Sequence, residues 1–279
     1  MLSIFIKDNK LASKAYDLGI EHIYIPALDY INLLEQENNR KFLKAITIAM
    51  PNVMHESTKK LIDKKVLNGN NNTLYCDNIG SINDAFRRNI KFEVGFHIPV
   101  VNSYTISNFA DLGASVLWLS PELTLTQIKE LIKSFKENFS HSDNHISFGI
   151  TVMGFLELMT TRHCNFMSLN KCNQDCKNCI TRKNTMYLED RLGYKFRIQT
   201  DIDRTSHVYN SVMLDVCHAI YDLKQAGVDH FMIDATLMDY EYSIKSIKRA
   251  KKAIELAEKG FKIEKQNNTT TGHLFRGVE

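Results

Sequence analysis

Leu18-Gly19-Ile20-Glu21-His22-Ile23-Tyr24-Ile25-Pro26 holds the pattern that decides the fold. Gly19 stands just past a helical stretch, where a residue without a Cβ can take the left-handed conformation that ends a helix. A β-branched and aromatic run follows, His22–Pro26, and reads as a strand. Pro26 closes it, because proline cannot donate a ladder hydrogen bond. The same helix ending recurs at Leu112-Gly113-Ala114 and Ala226-Gly227-Val228.

Outward from this unit the chain repeats it. Eight strands are predicted: Ser3–Lys7, His22–Pro26, Ala45–Met50, Thr73–Cys76, Phe92–His97, Ser115–Leu119, Ile146–Thr151 and His230–Ile233. Their starts lie 19, 23, 28, 19, 23, 31 and 84 residues apart, so all but the last gap suit one βα unit. Between them Ile128, Leu131, Ile132 and Phe135 keep helical spacing. Ser81 is the predicted N-cap of Ile82–Arg88. Ile244, Ile247, Ala250, Ile254 and Ala257 form the stripe of a last helix that stops at Gly260.

Right-handed βα units of this number close into an α/β class, (β/α)8 TIM-type barrel, predicted over residues 1–260 with a C-terminal tail at 261–279. No Gly-x-Gly-x-x-Gly follows a strand, which counts against a dinucleotide-binding sheet. Pro26, Pro51, Pro99 and Pro121 all fall at C-terminal strand ends, the rim where barrel active sites sit.

The 279 residues are 44% hydrophobic and 24% charged, a globular composition that excludes disorder and collagen-like structure. No apolar run approaches the roughly 18 residues of a membrane helix, so no membrane insertion is expected. Leu2–Ile6 lacks a preceding basic segment and is not read as a signal peptide. Six cysteines without such a leader point to reduced thiols and a cytoplasmic location. A net charge of +3 decides nothing about nucleic acid. The basic run Lys245–Lys252 with Arg249 reads as the wet face of the last helix, with RNA contact as the alternative.

The long gap after the seventh strand is an insertion at about 152–210. It holds Cys164, Cys172, Cys176 and Cys179, spaced C-x7-C-x3-C-x2-C. The intervening residues are polar and turn-prone, so something other than a core must order them. Four thiolates within so short a stretch can do this by binding a metal. The compact all-cysteine set suits a [4Fe–4S] cluster, and zinc is the alternative. The C-x3-C-x2-C triplet also matches a radical-SAM signature, although it stands late in the chain. Cys76 and Cys217 read as small buried hydrophobes, Cys217 within a helical run Val212–Ala226. Met186–Leu188 and Phe196–Ile198 flank a turn at Arg191-Leu192-Gly193, which predicts a β-hairpin.

Leu158-Met159, Arg162-His163-Cys164, the cysteine run, Leu188-Glu189-Asp190-Arg191-Leu192-Gly193 with Phe196, and Asn210-Ser211 together resemble the collagenase-like peptidase family of unknown catalytic type, number 32. Asn102-Ser103, Leu112-Gly113, Ser120-Pro121-Glu122-Leu123 and Thr271-Gly272-His273 extend the likeness over most of the barrel. The resemblance implies a barrel with a four-cysteine iron–sulfur cluster. It also implies an oxygen-independent hydroxylase acting on a tRNA uridine, a ribosomal RNA cytidine or a quinone precursor, with prephenate as hydroxyl donor. Several such relatives work in pairs, so a homologous or other protein partner is a further expectation. The cysteine spacing here is more compact than in the quinone-pathway relatives. A peptidase finds no support in the motifs, since His-Glu-x-x-His and Gly-x-Ser-x-Gly are both absent.

Rim position nominates the chemistry. His97, Glu122 and Asp234 follow the fifth, sixth and eighth strands and are the candidate catalytic groups. Asn102, Arg162, His163 and Arg191 are the candidate substrate-binding groups, arginine being able to grip a carboxylate bidentately. Each has a plainer reading as a loop cap or rim residue, and Asp190-Arg191 also reads as a hairpin ion pair. His22 and His230 start strands and are assigned no chemistry. Two functions follow: an iron–sulfur hydroxylase of RNA or a small aromatic, or a non-catalytic, metal-stapled barrel serving as a subunit or binding module.

Overall fold

A computed structural model of the chain describes residues 1–36, 41–68, 72–139, 145–167, 172, 175, 179 and 186–277. The barrel strands are β1 (Leu2–Phe5), β2 (His22–Pro26), β3 (Ile46–Ala49), β4 (Leu74–Cys76), β5 (Phe92–Val94), β6 (Val116–Trp118) and β7 (Ser147–Gly154). Next come β8 (Glu157–Thr161), β9 (Met186–Glu189), β10 (Lys195–Thr200), β11 (Ser206–Tyr209) and β12 (Leu214–Asp215). The eighth barrel strand is β13 (His230–Asp234). The helices are α1 (Asn9–Asp17), α2 (Ala27–Gln36), α3 (Glu56–Ile62), α4 (Ile79–Arg87), α5 (Ser103–Asp111), α6 (Leu125–Phe139), α7 (Ile220–Gln225) and α8 (Tyr240–Glu258).

Strands β1 to β7 and β13 pair in parallel, and β13 lies between β7 and β1. The ring is therefore closed, as the sequence predicts. Leu117 pairs with Phe148 at one seam and Leu2 with Phe231 at the other. Every predicted barrel strand is present within a few residues.

Both strand faces are buried, and period-2 alternation sorts them. Ile4, Ile23, Ile48, Leu74, Val94, Leu117 and Ile233 belong to the apolar shell shared with the helices. Their neighbours Tyr24, Ala49, Tyr75, Val116, Trp118 and Met232 form a second cluster inside the ring. Glu93, at alternate spacing on β5, is buried with them. Tyr24 Oη donates to Glu93 Oε2 at 2.8 Å and Trp118 Nε1 to the same oxygen at 2.7 Å, so the interior carboxylate is satisfied. Gly149 leaves room for the indole: a Cβ there would lie 2.6 Å from Trp118 Cε3.

The predicted helix-ending glycines Gly19, Gly113 and Gly227 take φ of 77°, 86° and 98°. Asn78, not Ser81, caps α4: its backbone is extended and its Oδ1 accepts from Ser81 N at 2.8 Å. Arg249 is not on a wet face. Its Nε lies 2.8 Å from the fully buried Asp215 carboxylate, while Lys245, Lys248 and Lys252 are exposed. The predicted helical run Val212–Ala226 is split, since Leu214 and Asp215 pair as β12 against Gly154 and Met153 before α7 begins. Residues after α8 fold back: Thr270 N donates to Met213 O and Asp215 N to Thr270 O.

The segment between β7 and β12 builds a separate antiparallel sheet in the order β8-β11-β10-β9. The expected hairpin is its β9–β10 half, with Phe196 opposite Leu188. Strands β8 and β11 were not legible, because their residues alternate polar with apolar only weakly. No helix among the described residues is long and apolar enough to cross a membrane.

Candidate functional site at the barrel mouth

Each parallel strand points its C-terminal end at one rim, and the antiparallel sheet stands over that rim. Between them lies a cavity of about 580 Å³. Phe5 reaches it from β1 and Lys7 from the loop after it, Tyr75 from β4 and Asp77 from just past it, and Phe96 and His97 from the loop after β5. Asp234 enters from β13, and Glu157, Arg197, Asp201 and His207 descend from the sheet.

Four of these groups form a continuous chain of charge. Lys7 Nζ lies 3.2 Å from Asp201 Oδ1, and Asp201 Oδ2 lies 3.1 Å from His207 Nε2. His207 Nδ1 lies 2.9 Å from Glu157 Oε1, which also accepts from Thr160 Oγ1. Burial disfavours the His207 cation, but Asp201 and Glu157 outweigh it and push its pKa up to about 9. Burial likewise opposes the Lys7 charge, and Asp201 holds that ammonium well above the usual lysine range. Asp201 and Glu157 are themselves held below the usual carboxylate range, against burial, by Lys7 and His207. At neutral pH this chain alternates sign along its length.

Three further groups are not consumed by it. His97 Nδ1 lies 3.0 Å from Asp77 Oδ2, and the ring stacks on Phe96 at a centroid distance of 4.2 Å. Burial works against the imidazolium, yet Asp77 raises the His97 pKa above the ordinary histidine value. Asp234 Oδ1 accepts from Thr236 N at 2.9 Å, and burial raises its carboxyl pKa. Arg197 has a buried Nε without a hydrogen-bond partner, and its Nη1 reaches Leu237 O only at 3.5 Å. A guanidinium so placed is ready for an acceptor on a ligand.

The structure thus brings His97 and Asp234 together in one cavity and leaves the other nominated residues outside it. Glu122 is exposed on the loop after β6. Asn102 is exposed and caps α5, its Oδ1 accepting from Thr105 N at 2.9 Å. Arg191 is exposed in the hairpin turn, where Asp190 Oδ1 is taken by Leu192 N and Tyr194 N. Lys7, Asp77, Glu157, Arg197, Asp201 and His207 were not nominated. Lys7 and Asp77 carried a signal, since each stands at or just past a predicted strand end. Arg197 lies on the predicted hairpin arm and Asp201 just past it, whereas Glu157 and His207 sit on β8 and β11, strands that sequence periodicity did not reveal.

A smaller recess of about 430 Å³ opens beside the cavity, lined by His55, Arg162, His163, Cys164 and Asp203. Asp203 lines both. Arg162 Nη2 lies 3.1 Å from His55 Nδ1, and His55 Nε2 lies 3.3 Å from Thr205 Oγ1. Cys164 is half-buried and Cys172 exposed, while the nominated ligand Cys176 lies outside the described residues. Among the described residues, no three His, Cys, Asp or Glu side chains converge on a metal-sized point. Cys76 and Cys217 are buried, and burial pushes both thiols up.

A sequence model of peptidase family U32 matches residues 29–275. No curated protein matches the sequence. Among solved structures, a cube-shaped, highly porous protein cage designed by fusing symmetric oligomeric domains superposes with a TM-score of 0.52 at 13% identity, covering 93% of this chain and 73% of that one. The spore cortex-lytic enzyme SleL of Bacillus megaterium superposes with a TM-score of 0.39 at 10% identity, covering 95% of this chain and 75% of that one. The likeness to the cage, at that identity, is one of fold alone.

Proposed function

Because this chain belongs to peptidase family U32, we propose that it is an iron–sulfur enzyme that hydroxylates an RNA base or a quinone precursor without oxygen. One observation carries the reading. The recess that exposes Cys164 shares Asp203 with a large, charge-lined cavity at the catalytic rim of a barrel. A centre held by the cysteine segment would therefore stand next to a substrate in the cavity.

The donor chemistry fits a cluster: Cys164, Cys172, Cys176 and Cys179 would supply four thiolates, and a bound [4Fe–4S] centre would supply electrons. The chain's own residues do the rest. Arg197 offers its unpartnered Nε to a substrate oxygen. Tyr75, Phe96 and Phe5 provide an apolar floor for a ring. The Lys7–Asp201–His207–Glu157 chain ties the sheet to the barrel at the mouth. Prephenate as hydroxyl donor and RNA as partner rest on the family resemblance.

Anaerobic purification tests the centre: brown protein with about four irons per chain supports it, and colourless protein with one zinc supports the metal-stapled subunit instead. Deleting the gene and surveying RNA nucleosides and quinones by mass spectrometry tests the reaction. A missing hydroxylated species supports the hydroxylase. An unchanged survey together with gelatin cleavage by the purified protein would shift the reading to a peptidase.

A further inference from the structure

We propose that Asp77 and His97 form the proton-transfer pair of the barrel-mouth cavity, with His97 Nε2 exchanging a proton with a ring-bearing ligand and Asp77 positioning the imidazole. The inference rests on the cavity being the reactive site, and it assigns the acid–base role to one of its histidines.

The two histidines of the cavity differ in what their nitrogens do. His207 has both nitrogens against carboxylates, at 2.9 and 3.1 Å. Neither is left to meet a ligand, so His207 is a fixed cation. His97 Nδ1 makes an ion-pair contact with Asp77 Oδ2 at 3.0 Å, without hydrogen-bond geometry. Its Nε2 enters no hydrogen bond or ion pair among the described residues, and the ring lines the cavity. One nitrogen held by a carboxylate and the other free is the arrangement that makes an imidazole a general acid–base.

The surroundings are shaped to hold that geometry. Asp77 Oδ1 also accepts from the backbone N of His97 at 3.3 Å, so a single carboxylate grips the residue at two points. Phe96 stacks on the other side of the ring, and Phe96 N donates to Tyr75 Oη at 3.3 Å. Gly95 is what lets Asp77 in: a Cβ at Gly95 would lie 1.9 Å from Asp77 Oδ1. The charged groups facing His97 are Asp77, Glu157 from β8 and His207 from β11. Burial and His207 work against its cation, the two carboxylates favour it, and the carboxylates prevail to raise its pKa. The ligand class follows from the walls. Phe5, Tyr75 and Phe96 offer flat apolar surface, and Arg197 requires an acceptor. A planar ring carrying an oxygen acceptor and an exchangeable O–H or N–H fits both.

The test does not need the substrate. Diethyl pyrocarbonate acylates only unprotonated, accessible imidazole nitrogens, so mass spectrometry of labelling against pH reads both access and pKa. In the wild-type chain His97 should label, with a midpoint above that of an ordinary histidine (about 6.5), while His207 resists. Asp77→Asn should lower the His97 midpoint by about one pH unit or more. Gly95→Ala, which displaces the carboxylate without removing it, should move it the same way. A His97 that does not label, or a midpoint unmoved by both variants, overturns the pair. Expressed in the deletion strain, His97→Gln should leave less than about one per cent of product formation, and full restoration by His97→Gln overturns the catalytic role. If deletion removes no modified nucleoside or quinone, the hydroxylase reading falls while the labelling result still decides the pair.

Discussion

Lys7 and Asp201 meet at 3.2 Å across 194 positions of sequence. Lys7 belongs to the loop after β1, and Asp201 follows β10 of the antiparallel sheet, so this ion pair ties the sheet to the barrel. Lys7 is only 27% exposed, and Asp201 also serves His207. Replacing the carboxylate therefore leaves Lys7 without its carboxylate and takes one of two from His207. Asp201→Asn should lower unfolding free energy by about 1–3 kcal/mol, the cost of losing hydrogen bonds to charged groups. The urea midpoint should fall without a change in slope.

His207 makes stability depend on alkaline pH. Its folded-state pKa of about 9 lies above the unfolded value, so the stabilisation is complete below the unfolded pKa and is lost as pH rises through about 9. Glu157 contributes oppositely: its lowered pKa gives stability that is lost as pH falls through the acid range. Urea midpoints across pH should thus decline on the alkaline side in the wild type, and His207→Gln should flatten that decline. An equally steep decline in both proteins would sink the assignment.

Glu93 gives a spectroscopic handle on the barrel interior. Burial pushes its pKa up to about 7, against the stabilising hydrogen bonds from Trp118 and Tyr24. Trp118 is the one tryptophan of the chain, and its Nε1 touches the titrating oxygen. Emission should therefore follow a transition near pH 7 in the wild type and show none in Glu93→Gln. Because the raised pKa favours the neutral form in the folded state, stability should fall between the unfolded carboxylate pKa and about 7. Glu93→Gln should remove that fall.

Arg249 and Asp215 join α8 to β12, the short strand paired with β7. Asp215 is fully buried, and its other oxygen accepts from Cys217 N at 2.9 Å. Arg249→Met leaves that carboxylate without its cation, which costs about 3–5 kcal/mol for a buried pair broken on one side. Thermal unfolding should show the loss, and Asp215→Asn in the same chain should recover part of it. Equal midpoints for Arg249→Met and the wild type would contradict the pairing.

The barrel was legible because its signals are local. A strand alternates within five residues, and a helix ends at a glycine with positive φ, so Gly19, Gly113 and Gly227 marked the βα units before any contact was known. The strand-end rule also placed His97 and Asp234 in the cavity. The same rule nominated Asn102 and Glu122, yet Asn102 is spent on a helix cap and Glu122 faces solvent. Position on a rim does not set the direction in which a side chain points.

By itself the sequence determined a closed α/β ring, a cysteine-bearing segment interrupting it, and family membership. Only the tertiary structure decided which charges meet. Glu157 and His207 lie 50 positions apart, and Lys7 and Asp201 lie 194 apart, so no local pattern encodes their pairing. Their partners are chosen by how the antiparallel sheet settles over the barrel mouth. Once settled, burial makes each charge dependent on its neighbour, because an unpaired ion removed from water is too costly to keep.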